Sequence, residues 1–224
     1  MAAKPRVATR DLVLAVDGSQ RDAPLVIVVD SRGVLAASSE LEPGATAVVR
    51  AVRGVLELYR HRLTMVVAVS GPGSYMGVRA GLAAALGVAQ SLALPLALVG
   101  SLEVIAAQAD PGSGTVLALA DAGRGGTLGQ VLEPEVRPGR PPRWRASGEA
   151  ELLARDLPWP ERWRELRGVI GSPAAGRALP DHLGQVPVAR DRRHALAWVV
   201  AGAPAPITGY DQVTADYAEP VGAR

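Results

Sequence analysis

The densest chemical signal in this chain is one unbroken stretch, Ser70-Gly71-Pro72-Gly73-Ser74-Tyr75-Met76-Gly77-Val78-Arg79. Its glycines permit a tight turn, Ser74 can cap a following helix, and N–H groups left free at a helix start form an anion site. No Gly-Lys-Ser/Thr follows, so the stretch is not a P-loop. The spacing Gly71-x-Gly73-x-x-x-Gly77 has one residue too many for the dinucleotide fingerprint. On the residues alone, a structural strand-to-helix turn is the plainer account and phosphate binding the sharper one. Carboxylates supply the second signal. Asp17 ends an apolar run directly before Gly18 and Ser19, and Asp121 ends the run Leu117-Ala118-Leu119-Ala120. Two carboxylates at matching strand ends could orient a metal ion and a water beside a phosphate. Against this, Asp-Gly-Ser is among the commonest hairpin turns, and the residues that follow, Gln20 to Pro24, are not a Gly/Thr-rich phosphate clasp. The expectation is a residual nucleotide site of Asp17, Ser19, Gly71, Gly73, Ser74 and Asp121. It would bind ATP or ADP weakly at most and would not turn it over.

Other chemistries are harder to place. The chain has no cysteine, which removes disulfides, thiolate metal sites and cysteine nucleophiles together. His61, His182 and His194 are too scattered to form a His-x-x-x-His pair, so a His-based metal site is not expected. The Gly-x-Ser-x-Gly elbow of serine hydrolases is absent. No catalytic residue, resident metal or cofactor is assigned.

These residues need a scaffold, and the sequence supplies one. Leu12 to Val16, Leu25 to Asp30 and Val34 to Ser38 are short apolar runs divided by turn residues, a pattern of antiparallel strands. Val48, Val49, Val52, Leu56, Tyr59 and Leu63 then recur at helical spacing, and Met65 to Val69 reads as a buried strand. After the Ser70 loop come an Ala-rich helix from about Val78 to Ala93, a strand Leu94 to Val99 and a short helix opening at Ser101. The order βββαβαβα matches half of the actin, sugar-kinase and ribonuclease-H architecture, whereas a doubly wound dinucleotide fold would begin with a βαβ crossover. The fold expected is therefore α/β, a two-lobed actin-like ATPase fold of mixed sheets with helices. Residues 1–108 would form the first lobe and 109–224 a smaller, divergent one whose C-terminal segment packs back on the first. In that second half, strands are expected at Val116 to Ala120 and Thr127 to Leu132 and helices near Glu149 to Asp156 and Asp191 to Gly202. Pro134 to Arg145 reads as loop.

The stretch from Ser70 to Ala107 resembles the signature of the TsaB (YeaZ) family, whose common form reads GPGSFTGLRIGLA at its start. The likeness extends more weakly to Leu12–Ser19 and to Ala120–Leu132. Departures are Tyr75 for Phe, Met76 for Thr and Gly18 for Thr. The resemblance implies a subunit of the machinery that makes N6-threonylcarbamoyladenosine at position 37 of tRNA, non-catalytic by itself. It would act as a dimerisation platform for a TsaD-like transferase, with a TsaE-like ATPase as a further partner. An active small-molecule kinase or ATPase of the same fold is the alternative. In the platform reading, a small-residue stripe on the second helix (Gly77, Gly81, Ala84, Ala85 and Val88), with Leu82, Leu86 and Ala89 on an adjacent face, joins Val48, Val52, Leu56 and Tyr59 of the first helix in an interface with a second copy or with TsaD. Packing within one lobe is the plainer account of the same stripe. Ala85→Arg is expected to abolish that interface and leave the monomer folded.

Composition frames these expectations. A hydrophobic content of 48%, a charged content of 21% and mean hydropathy of +0.15 describe a folded globular chain. The formal net charge is only +2, and residues 109–224 carry as many acidic as basic groups, so neither half is a nucleic-acid-binding domain by charge. Arg137 to Arg145 still holds four Arg and one Trp without an acid, a candidate for indirect or weak tRNA contact by charge and stacking, though a solvated face is the plainer account. The charge-free run 80–102 is broken by Gly, Gln and Pro and is not a membrane span. The first residues lack a secretory core, so the expected location is cytoplasmic.

Overall fold

The structure, a computed structural model, describes residues 11–20, 22–30, 32–40, 45–123, 126–136, 138, 141–171, 173, 177–202, 204–216 and 219–220. The apolar runs of the first half are too continuous to leave one face wet, and they form a five-stranded sheet covered on both sides. Its strands are β1 (Leu12–Asp17), β2 (Leu25–Asp30), β3 (Leu35–Glu40), β4 (Leu63–Gly71) and β5 (Leu96–Gly100), in the order β3-β2-β1-β4-β5. The hairpin pairs β1/β2 and β2/β3 are antiparallel, while β1/β4 and β4/β5 are parallel, as helix crossovers require. Alternation splits each strand between two cores. Leu12, Leu14 and Val16 of β1 join Val66 and Ala68 of β4 on the outer side, and Val13, Ala15, Val67 and Val69 face the inner side.

The outer side is covered by α1 (Ala45–Tyr59) and α2 (Tyr75–Leu92). The inner side meets α3 (Ser101–Ala106) and α4 (Arg192–Ala201), which also contact the second sheet through one shared core. That sheet contains β6 (Val116–Gly123), β7 (Gly126–Glu135), β8 (Arg143–Ala146), β9 (Glu151–Leu153), β10 (Gly168–Gly171), β11 (Gly184–Gln185) and β12 (Glu219–Pro220). Its order is β11-β10-β6-β7-β9-β12, with β8 also paired to β7. The layers thus run helices, sheet, helices, sheet, a mixed α/β architecture consistent with the actin-like, ribonuclease-H-like fold.

Two local expectations are corrected. Glu149 to Asp156 is not helical, because Leu153 is needed in the core outside the second sheet and Glu151 to Leu153 pair with β7 as β9. The stretch Pro134 to Arg145 is not all loop, since β7 runs to Glu135 and β8 begins at Arg143, opposite Glu135 in register. Arg137, Gly139 and Arg140 lie outside the described residues. After α4 the chain returns to the first sheet. The Ile207 N–H donates to the Leu96 carbonyl at 2.8 Å, the Tyr210 hydroxyl donates to the Leu94 carbonyl at 2.8 Å, and the Asp216 N–H donates to the Ser70 carbonyl at 2.7 Å. Among the described residues no helix is long and apolar enough to cross a membrane.

Candidate functional site

A cleft of about 500 Å3 opens where the strand ends of the two sheets meet. One wall is the turn after β1 (Ser19, Gln20, Asp22), the loop after β4 (Pro72, Gly73, Ser74) and the start of α3 (Ser101). The other is the end of β6 (Leu119 to Ala122) and Gly171 of β10. The expected site residues Ser19, Gly73, Ser74 and Asp121 line this cleft together, whereas Asp17 and Gly71 do not. Gly71 lies behind it at φ +115°, with the Asp216 carbonyl 2.4 Å from where a Cβ would stand. Gln20, Asp22 and Gly171 carried no motif and emerge only from the fold, and Ser101, read from the sequence only as the start of a helix, joins them.

The two loops of the first wall are fastened to each other. The Ser74 N–H donates to the Ser19 carbonyl at 2.8 Å, and the Ser74 hydroxyl accepts from the Gly77 N–H as the cap of α2. Gly18 and Gly77 stand so close that a Cβ on either would lie 2.1 Å from the other's carbonyl oxygen. The Ser101 hydroxyl donates to the Pro72 carbonyl and ties α3 to the same loop. Glycine is demanded here by backbone approach, so these residues serve packing before they serve any ligand.

Asp17 does not stand as a metal-orienting carboxylate would. It is 1% exposed, and both of its oxygens have partners within the chain. Oδ1 accepts from the Ser19 N–H at 2.8 Å and the Ser19 hydroxyl at 2.6 Å, while Oδ2 pairs with the Arg192 guanidinium at 2.5 Å. Arg192 also donates to the Ala23 carbonyl. A divalent cation does not fit at this carboxylate, since three of its roughly four acceptor positions are taken by donors that hold the turn and the guanidinium already neutralises its charge. Breaking such a buried pair by removing one partner typically costs about 3–5 kcal/mol. Arg192 was not foreseen because nothing local in Asp191-Arg192-Arg193-His194 points to a strand end 175 residues earlier. Its place at the first turn of α4 is fixed by the cap residue Asp191. That carboxyl is held below the usual carboxylate range by the His194 N–H first, against the opposing effect of burial, and further by the His194 and Arg193 side chains.

Asp121 is exposed at the opposite wall, in register with Thr127 of β7. The histidines lie apart. His61 accepts from Arg60 in the turn after α1, His182 contacts the Trp163 carbonyl, and His194 contacts Asp191. Among the described residues no group of three or more His, Cys, Asp or Glu is placed to hold a metal ion.

The interface expectation changes most. Val48, Val52, Gly81, Leu82, Ala85 and Val88 are buried in the chain's own outer core, and Leu56, Tyr59 and Gly77 are half-buried beside them. The stripe faces β1 and β4, not solvent, so Ala85→Arg would drive a guanidinium into the core. The open face of α2 lies about half a turn away, at Met76, Ala83 and Gly87, with Ala80 and Ala84 at its margin. Arg79 is the one charged side chain of α2, and it stacks on Tyr75, 5.2 Å from the ring centre. Across the molecule, Trp144 of the Arg-rich stretch is 4% exposed, and Arg145 and Arg143 stand opposite Glu133 and Glu135. This removes the stacking partner and sets acids against the described arginines.

Comparison with known proteins converges with the geometry. A family model described as TsaD, tRNA N6-adenosine threonylcarbamoyltransferase, matches residues 37–130, from before α1 into β7. The tRNA threonylcarbamoyladenosine biosynthesis protein TsaB of Bacillus subtilis (strain 168) is 43% identical over 63 residues, spanning 28% of this chain and 28% of that protein. Together these matches support the TsaB/YeaZ family. The fold agrees over nearly the whole chain. YeaZ from Pseudomonas aeruginosa superposes with a TM-score of 0.67 at 20% identity, covering 92% of this chain and 99% of that one. A protein from the same organism, described as uncharacterized with similarity to the peptidase YEAZ, gives 0.66 at 19%, covering 93% and 100%. Where the TsaB/YeaZ pattern carries Thr after the first-strand Asp, this chain has Gly18, and the Gly77 carbonyl occupies the space a side chain would need.

Proposed function

We propose that this chain serves in the formation of N6-threonylcarbamoyladenosine in tRNA as a non-catalytic platform, pairing with a TsaD-like transferase and with a second copy of itself when that partner is absent. A TsaE-like ATPase would join the assembly, and tRNA would be contacted through the partner more than through this chain. The observation that carries the reading is the state of Asp17: the carboxylate that an actin-like ATPase would turn toward metal and water is buried and engaged by Ser19 and Arg192. Docking is assigned to the outward face of α2, where an 18-residue helix shows Met76, Ala83 and Gly87 to solvent and carries a single charge. A solvated helix ordinarily covers that face with charged residues.

The test is co-purification with a TsaD-like protein, followed by threonylcarbamoyl transfer to tRNA with and without this chain. Transfer that needs the chain, with no ATP hydrolysis by the chain alone, is the expected result. ATP turnover by the purified chain that is lost in Asp17→Ala would instead make it an ATPase or small-molecule kinase of the same fold.

A further inference from the structure

The disagreement between Asp17 and a metal-orienting role leads to a function for the residue that displaced the metal. We infer that Arg192 is a positioning residue: a tethered cation that, through Asp17 and Ser19, holds the loop ahead of α2 and so sets where the docking helix begins. The path is continuous. Arg192 Nη2 pairs with Asp17 Oδ2 at 2.5 Å, Asp17 Oδ1 accepts from the Ser19 N–H and hydroxyl at 2.8 and 2.6 Å, and the Ser19 carbonyl accepts from the Ser74 N–H at 2.8 Å. Ser74 is the cap of α2, and the Gly18–Gly77 contact leaves the helix no room to slide toward the turn. The same guanidinium reaches the Ala23 carbonyl, so one side chain spans both sides of the β1–β2 turn. Asp17 is 1% exposed and the Arg192 side chain 15%, which shields the pair from the screening that makes surface pairs weak. A guanidinium is suited to this because its forked, planar donors serve two acceptors at once, whereas an ammonium is a single point of charge.

In this arrangement the chain supplies internally the positive charge that a bound cation would bring to Asp17. The cleft wall and the start of α2 then share one anchor, and that anchor lies in α4, on the far side of the first sheet. The link from this anchor to partner binding rests on the docking role proposed for α2, but the anchor itself can be tested without a partner.

The experiment is amide hydrogen exchange on the full-length chain, comparing wild type, Arg192→Lys, Arg192→Gln and the double variant Asp17→Asn/Arg192→Gln. The double variant leaves no uncompensated buried charge and keeps the test open if Arg192→Gln fails to fold. Exchange at Ser19 and Ser74 is expected to rise about tenfold or more in the folded Gln-containing variants, with β7 and α4 amides unchanged and with Arg192→Lys, which keeps the charge but loses the fork, restoring only part of the protection. Unchanged protection at Ser19 and Ser74 in the double variant overturns the inference, as does a uniform loss across the whole molecule. A final arm measures binding to the TsaD-like partner. If the exchange result holds while Gly87→Arg leaves partner binding intact, the docking reading fails and the positioning role of Arg192 stands.

Discussion

The two faces of α2 are made of the same kinds of residue and do opposite work. Inward, Gly77 and Gly81 let the helix backbone lie directly on Gly18 in the turn after β1, with the Val16 side chain beside Gly81 and Ala85 fully buried one turn further on. Outward, Ala83 and Gly87 are equally small, yet Gly87 has nothing within 4 Å of where a Cβ would stand. Small residues on a helix therefore record close approach only where something approaches. On the outer face, where Arg79 is the single charge, the docking partner proposed above would supply that approach.

Substitutions can break or sharpen this contrast. The largest effect is expected from Ala85→Arg, which buries an unpaired charge at a fully buried position. Its cost is about 4 kcal/mol or more, read as insoluble expression or a collapse of the urea midpoint. Soluble, native-like Ala85→Arg would mean that the inward face is not the packed one. Next is Gly18→Ala, whose methyl meets the Gly77 carbonyl carbon and oxygen at 2.7 and 2.1 Å. A loss of about 1–3 kcal/mol in denaturant unfolding is expected, because backbone must move to admit it. The smallest effect on stability belongs to Gly87→Arg, within about 0.5 kcal/mol of wild type. The same variant should abolish self-association in light scattering and capture of the TsaD-like partner. If it still pairs with both, the outward face has no docking role.

The contrast also explains what the sequence could and could not tell. β1, β2 and β4 were legible because strands of six to nine residues, buried on both faces over most of their length, leave long apolar runs. The second sheet uses strands as short as the three residues of β9, too brief to show a period, and Glu-Leu-Leu-Ala-Arg favours helix until Leu153 is claimed by the core. The Ser70 loop was visible as a turn, and the clustering of Ser19, Gly73, Ser74 and Asp121 around one cleft followed from strand ends. The facing of α2 was not legible. In Gly81-Leu82-Ala83-Ala84-Ala85-Leu86-Gly87, small residues occupy every side of the helix, so spacing alone selects no face. Asp17 was readable as a strand-end carboxylate, but its engagement was not, because the decisive cation comes from a distant helix.

That distance has a consequence for the newborn chain. At synthesis rates of about 5–20 residues per second, the 175 residues between Asp17 and Arg192 take roughly 9 to 35 s to emerge. The Tyr210 hydroxyl, which donates to the Leu94 carbonyl just past the end of α2, lies further behind, 116 residues after its target. Throughout that interval β1 carries a carboxylate without its counter-ion and an inner face without α4. The first half of the polypeptide is therefore not a finished module on the ribosome. Its inner core is completed, and the charge of Asp17 balanced, only when α4 has emerged.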